Sequence, residues 1–135
     1  MLMKSFLLID HVTLLVRDLD KSIEFYSGKL GFEVYGETIS RGRKIVFLKS
    51  GDARIDLFGA LEGEKASQGH SRQGIGVVHV ALKVADFDET YDELVKRGVD
   101  FHIKPYYQPK DHPKAGKKVA FFKDPDGNIL HLTYG

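Results

Sequence analysis

From His11 to Val16 apolar and other positions alternate, with Val12, Leu14 and Val16 on one side and His11 and Thr13 on the other. This period of two marks a strand buried on one face. The stretch from His79 to Val84 does the same, setting Val80, Leu82 and Val84 against His79 and Ala81. The period then changes in both places. Ile23, Tyr26 and Leu30 recur at helical spacing in the first stretch, as do Phe87, Tyr91, Leu94 and Val95 in the second. Asp20 and Asp88 are the expected N-caps. Gly31 and Gly98 are the expected stops, because the left-handed conformation beyond a helix end favours a residue without a Cβ. Three strands follow each helix, the last one introduced by Ser50-Gly51-Asp52 or by Asp124-Pro125-Asp126-Gly127-Asn128. The expected interior contains Val12, Leu14, Val16, Ile23, Val46, Leu57, Val80, Leu82, Leu94, Phe121 and Leu132.

The two stretches are copies. His11 to Asp20 lies over His79 to Asp88 with identity at His, Val, Leu, Val, Asp and Asp, and Lys44 to Lys49 lies over Lys118 to Lys123. Two copies of one supersecondary unit commonly bury their apolar faces against each other. A single domain is therefore expected, with module one at about 6–58, a Gly-rich linker at 59–76 and module two at 77–135. Residues 104–118 hold three of the four prolines and read as a long loop, a candidate lid. The apolar run before Asp10 reads as a further strand.

Composition narrows the function classes. Lys and Arg number 20 against 19 Asp and Glu, a formal charge of +1, so there is no broad basic field for nucleic acid or an anionic membrane. The chain has no cysteine, which removes disulfides, thiolate nucleophiles and Cys-rich zinc sites. No apolar stretch approaches a membrane span, so the expectation is a soluble, cytoplasmic protein acting on a small molecule.

Candidate chemistry lies on the polar side of the strands. His11 and His79 point away from the helices, and so do Asp56, between Ile55 and Leu57, and His131, between Leu130 and Leu132. Each alone also fits an ordinary hydrogen-bonded side chain. Asp has poor strand propensity, however, and a buried carboxylate needs a partner. If the modules pair about a pseudo-two-fold axis, these four donors could meet at one divalent ion of Zn, Ni, Fe, Co or Mn. Arg54 shares the ideal face of Asp56 and could bind a substrate carboxylate or pair with Asp56. Tyr106 and Lys110 in the candidate lid are further substrate-binding candidates; Lys114 belongs to the same basic loop. His70, His102 and His112 have no assigned role, and Asp124 to Gly127 read as turn chemistry.

Ile9-Asp10-His11-Val12, Val16-Arg17-Asp18-Leu19-Asp20, Phe25-Tyr26, Leu30-Gly31-Phe32, Gly76 to Ala81 and Phe122 to Asn128 together resemble the vicinal oxygen chelate superfamily of glyoxalase I, bleomycin resistance proteins and extradiol dioxygenases. The resemblance spans nearly the whole chain. It implies an α+β fold of two tandem βαβββ modules forming an open, barrel-like mixed sheet around a metal cleft, built within one chain or across a homodimer. By position it makes His11, Asp56, His79 and His131 the ligands of one divalent metal ion. His131 departs from the pattern, which has Glu there, and with Asp56 it would carry the catalytic proton. The implied activity is a glyoxalase I-like lyase or isomerase acting on a small α-oxo or vicinal-oxygen substrate through a metal-bound enediolate. Two other activities stay open: extradiol ring cleavage at an Fe(II) site of His11, His79 and Asp56, and metal-free ligand binding of the bleomycin type.

Overall fold

The computed structural model describes residues 5–65 and 76–135. Module one runs β1 (Val12–Val16), α1 (Leu19–Ile23) with a π-helical continuation (Glu24–Lys29), β2 (Glu33–Ser40), β3 (Arg43–Ser50) and β4 (Ala53–Gly59). Module two runs β5 (Val80–Lys83), α2 (Phe87–Lys96), β6 (Ile103–Tyr107), β7 (Lys118–Lys123) and β8 (Ile129–Thr133). Each is a βαβββ unit. The strand orders are β1-β4-β3-β2 and β5-β8-β7-β6, with the first pair of each sheet parallel and the others antiparallel. The fold is thus α+β with two four-stranded mixed sheets, which are not closed into a barrel.

The strand phase is as the alternation requires. Leu14, Val16, Val46, Leu57, Leu94 and Leu132 are buried in one cluster, and Val12, Ile23 and Leu82 pack partly buried against it. Val80 is also partly buried. That cluster takes residues from both modules: Phe25 of the first helix lies against Phe122 of β7 (ring centroids 6.2 Å apart), and Phe101 against Phe122 at 5.2 Å. Phe121 is buried on the other side of its strand, outside this cluster.

A polar tie joins the modules. Tyr26, fully buried, donates its hydroxyl to Asp124 Oδ2 at 2.8 Å across 98 residues of sequence. Asp124 also accepts from the backbone N–H of Asp126 and Asn128 and from Asn128 Nδ2. The turn before β8 therefore does more than reverse the chain, since it anchors module two to the first helix. The backbone N–H of Arg17 adds a second link by donating to Asp126 Oδ1 at 3.1 Å.

Four expectations are corrected. The N-caps are Asp18 and Asp86, whose carboxylates accept from Lys21 and Glu89 N–H, because a capping oxygen reaches the N–H of the second or third residue beyond it. Asp20 and Asp88 instead lie in the first turns, where the helix dipole favours negative charge. The first helix widens after Ile23, with Leu30 N–H bonded to Phe25 C=O, five residues back. Residues 5–11 form no strand, since β1 has a neighbour only in β4 and the segment finds no ladder partner. The expected long loop is shortened, because Pro105 is accommodated in β6, an edge strand where a missing N–H is tolerated. Residues 66–75, most of the expected linker and including His70, lie outside the described residues.

Candidate metal half-sites

On β4, Ile55 and Leu57 point into the common core, so the pleat turns Asp56 to the opposite face. Its cross-strand neighbours are Thr13 on β1 and Phe47 on β3. The Asp56 side chain is only 13% exposed, and its one basic neighbour within ion-pair distance among the described residues is His11, with Nε2 3.5 Å from Oδ2. His11 immediately precedes β1, and its Nδ1 lies 2.8 Å from Asp10 Oδ2. A carboxylate can only accept, so Nδ1 carries the hydrogen and Nε2 is the nitrogen turned toward Asp56. The hydrogen bond with Asp10, and secondarily the charge of Asp56, hold the His11 imidazole above its ordinary pKa of 6.5.

Module two repeats the arrangement with imidazoles alone. His131 sits on β8 between the core residues Leu130 and Leu132, opposite Ala81 and Phe121, and so faces away from the core. His79 immediately precedes β5, with its ring centroid 4.6 Å from that of His131 at an interplanar angle of 78°. Phe121 packs against both rings, at 5.7 and 4.8 Å. His131 Nδ1 lies 3.3 Å from the Leu132 carbonyl, another acceptor, which leaves Nε2 free. Burial lowers the His131 pKa below 6.5. The Leu132 hydrogen bond opposes that shift, while the charges of His79 and Lys114 add to it.

Two pairs result, His11 with Asp56 and His79 with His131. No group of three or more metal-capable side chains occurs among the described residues. The reason is architectural: both sheets bury their other faces in one shared core, so Asp56 and His131 look outward from it on separate sheets. His11 and His79, at the strand starts, do line one cavity of about 520 Å³ between the modules, together with Asp10 and Arg54.

Arg54 donates to the Tyr35 hydroxyl at 3.0 Å and forms no ion pair with Asp56 among the described residues. Tyr106 on β6 and Lys110 in the following loop are exposed and form no hydrogen bond or ion pair with either half-site among the described residues. Lys114 is the loop residue that reaches this region, donating to Thr133 Oγ1 at 3.0 Å and to the Tyr134 carbonyl. Thr133 is two residues from His131 and shares its face. Sequence reasoning missed Asp10 as the orienting partner of His11, although adjacency was the available signal. It also missed Phe121 as the wall of the second pair. His112 receives the Lys114 backbone N–H and stays local.

Residues 8–132 match the model of the Glyoxalase/Bleomycin resistance protein/Dioxygenase superfamily. The chain is similar to the Bacillus subtilis protein YwkD, at 32% identity over 135 residues covering 98% of each chain. It is 33% identical over 132 residues to a probable lactoylglutathione lyase of Vibrio cholerae, covering 90% of this chain and 86% of the relative. Among solved structures, a glyoxalase family protein from Enterococcus faecalis superposes with a TM-score of 0.78 at 28% identity, covering 95% of this chain and 98% of the other.

Proposed function

Because the chain belongs to the Glyoxalase/Bleomycin resistance protein/Dioxygenase superfamily, we propose that it is a divalent-metal lyase or isomerase acting on a small α-oxo substrate, such as a thiol adduct of an α-oxoaldehyde. The observation that carries this reading is the Asp56 carboxylate, largely withdrawn from water, with only the Nε2 face of His11 as a basic neighbour among the described residues. A carboxylate withdrawn from water needs a compensating positive group. The donor set fits a divalent ion, since His11 and His131 both have Nδ1 engaged, with Nε2 turned toward Asp56 in the first and free in the second, and Asp56 supplies a negative oxygen. Similarity to a probable lactoylglutathione lyase supports the isomerase reading.

His11, Asp56, His79 and His131 would hold the ion, which when bound supplies Lewis-acid polarisation of substrate oxygens. The four donors meet when two copies pair, His11 and Asp56 of one protomer facing His79 and His131 of the second. Support comes from the outward direction of Asp56 and His131 and from the apolar surface beside the pairs. Phe6, Leu7, Leu8 and Ile9 are 70–92% exposed just before His11, and Val77 and Val78 are exposed just before His79. Apolar surface of that extent calls for a covering partner. With Nδ1 on the Leu132 carbonyl and Nε2 on the ion, His131 has no lone pair left for a proton, so Asp56, which keeps a second carboxylate oxygen, accepts the proton from the substrate carbon beside the carbonyl and returns it to the neighbouring carbon. His131 is the second group able to carry that proton, when its Nε2 leaves the ion.

The test is metal analysis combined with activity. Protein stripped with chelator should gain thermal stability and isomerase activity on methylglyoxal–thiol adducts with Zn, Ni, Co or Mn. Asp56→Asn should lose both gains, and His131→Glu should retain metal and raise the isomerase rate. Catechol ring cleavage by the iron-loaded protein without isomerase activity, or indifference to every divalent ion, would overturn the proposal.

A further inference from the structure

Lys49 and Arg54 stand directly opposite each other on β3 and β4. Like charges at opposed cross-strand positions repel, and neither side chain forms an ion pair with a carboxylate among the described residues. Both cations instead converge on one aromatic ring. Lys49 Nζ lies 5.0 Å and Arg54 Cζ 5.4 Å from the ring centre of Tyr35, while Arg54 Nη1 donates to the Tyr35 hydroxyl at 3.0 Å. Asp10 and Asp52 act on Arg54 through space only. The remaining guanidinium N–H groups and the ammonium form no hydrogen bond among the described residues, so two positive groups with spare donors share one solvent-facing place on the sheet.

That place belongs to the face of Asp56. Arg54 is two residues before it on the same strand, hence on the same side and about 7 Å along the sheet. Arg54 also lines the 520 Å³ cavity with His11 and His79. We propose that Arg54 and Lys49, held by Tyr35, bind an oxyanion head group of the substrate, a carboxylate or phosphoryl group, whose other end reaches the metal-binding residues. A guanidinium presents paired donors matched to such a group, and the ammonium adds a second point of charge. An anion there also relieves the repulsion between the two opposed cations. The substrate class is accordingly a small acid with its reacting oxygens about one side-chain repeat from its anionic end. The proposal takes the word substrate from the metal reading above, but the anion site is tested without metal.

Chelator-treated full-length protein, at fixed low ionic strength, is titrated with inorganic phosphate and, separately, with acetate, using sodium chloride as the control. Binding is read by thermal shift and by chemical-shift changes. The expected result is saturable binding of one or both anions beyond the chloride effect, with phosphate against acetate deciding between phosphoryl and carboxylate heads. Arg54→Gln and Lys49→Gln should each weaken it roughly tenfold or more. Lys96→Gln, at an exposed position on α2 that belongs to neither half-site, should leave it unchanged. Metal uptake by Arg54→Gln and Lys49→Gln should match wild type, so a failed metal site and a failed anion site give different results. Should Arg54→Gln fail to fold by circular dichroism, Lys49→Gln decides the matter. Phosphate and acetate binding no better than chloride, or unchanged affinity in the folded variants, overturns the proposal.

Discussion

Replacing Tyr26 with Phe removes one oxygen from the bond that ties the two modules. The ring keeps its edge contacts with Phe25 and Phe32, at 5.2 and 6.4 Å, so packing is nearly conserved. What is lost is a buried 2.8 Å hydrogen bond to the Asp124 carboxylate. Bonds of this kind to a charged group contribute about 1.5–3 kcal/mol. Asp124 Oδ2 retains Asn128 Nδ2 at 2.7 Å, so the carboxylate is not left bare and the middle of that range, about 2 kcal/mol, is expected. For a chain of 135 residues this corresponds to a fall in Tm of roughly 6–10 °C. Asp124→Asn should cost more, because an amide NH2 placed at either oxygen position meets groups that already donate. Urea unfolding of both single variants and the double variant measures the coupling, expected at about 1–2 kcal/mol. A loss below about 0.5 kcal/mol for Tyr26→Phe, or strict additivity with Asp124→Asn, would refute the claim that this bond fastens the modules.

Other consequences follow from the half-sites. Asp10→Ala should weaken metal affinity by about 10- to 100-fold, with little change in apo stability above the raised His11 pKa, since the carboxylate orients His11 without belonging to the core; isothermal titration measures it. Lowering the pH should weaken metal uptake, beginning above 6.5 because His11 keeps its proton there. The metal-free protein runs the other way: the raised His11 pKa stabilises it fully below 6.5, and that contribution disappears as pH rises through the raised value. The lowered His131 pKa works against this, costing the metal-free protein stability as the pH falls below 6.5, so the His11 share is read as the difference between wild type and His11→Ala in thermal melts; that difference should run in opposite pH directions with and without metal, and parallel trends would count against His11 as a ligand. Leu57→Ala, at a fully buried position, should cost about 2–5 kcal/mol in urea unfolding.

Much of the fold was legible in the chain because alternation is a local property. Ile55 and Leu57 around Asp56, and Leu130 and Leu132 around His131, reveal which side of each strand is wet without reference to the rest of the molecule. The caps were missed by two residues because Asp18 and Asp20, or Asp86 and Asp88, are equally plausible by type, and only the position of the first free N–H separates them. Phe121 shows a different limit. Burial on β7 extends to both faces, and alternation cannot say that one buried phenylalanine serves the core while its neighbour walls a histidine pair. The residue types of the candidate site were likewise readable from the repeat. Their division into two outward-facing pairs was not, because it depends on both sheets sharing one core through Phe25, Phe101 and Phe122.

In the proposed dimer the metal site is assembled from His11 and Asp56 of one copy and His79 and His131 of the other. Mixing His11→Ala protein with His79→Ala protein tests it most directly. Each variant alone should be folded and dimeric but take up little metal, because both of its sites are damaged. After subunit exchange, a heterodimer has one undamaged site, formed by the first module of the His79→Ala chain and the second module of the His11→Ala chain. Random reassortment should therefore restore about one quarter of the wild-type metal content, with activity in proportion. Exchange demonstrated by mass spectrometry without any recovery of metal would contradict the account.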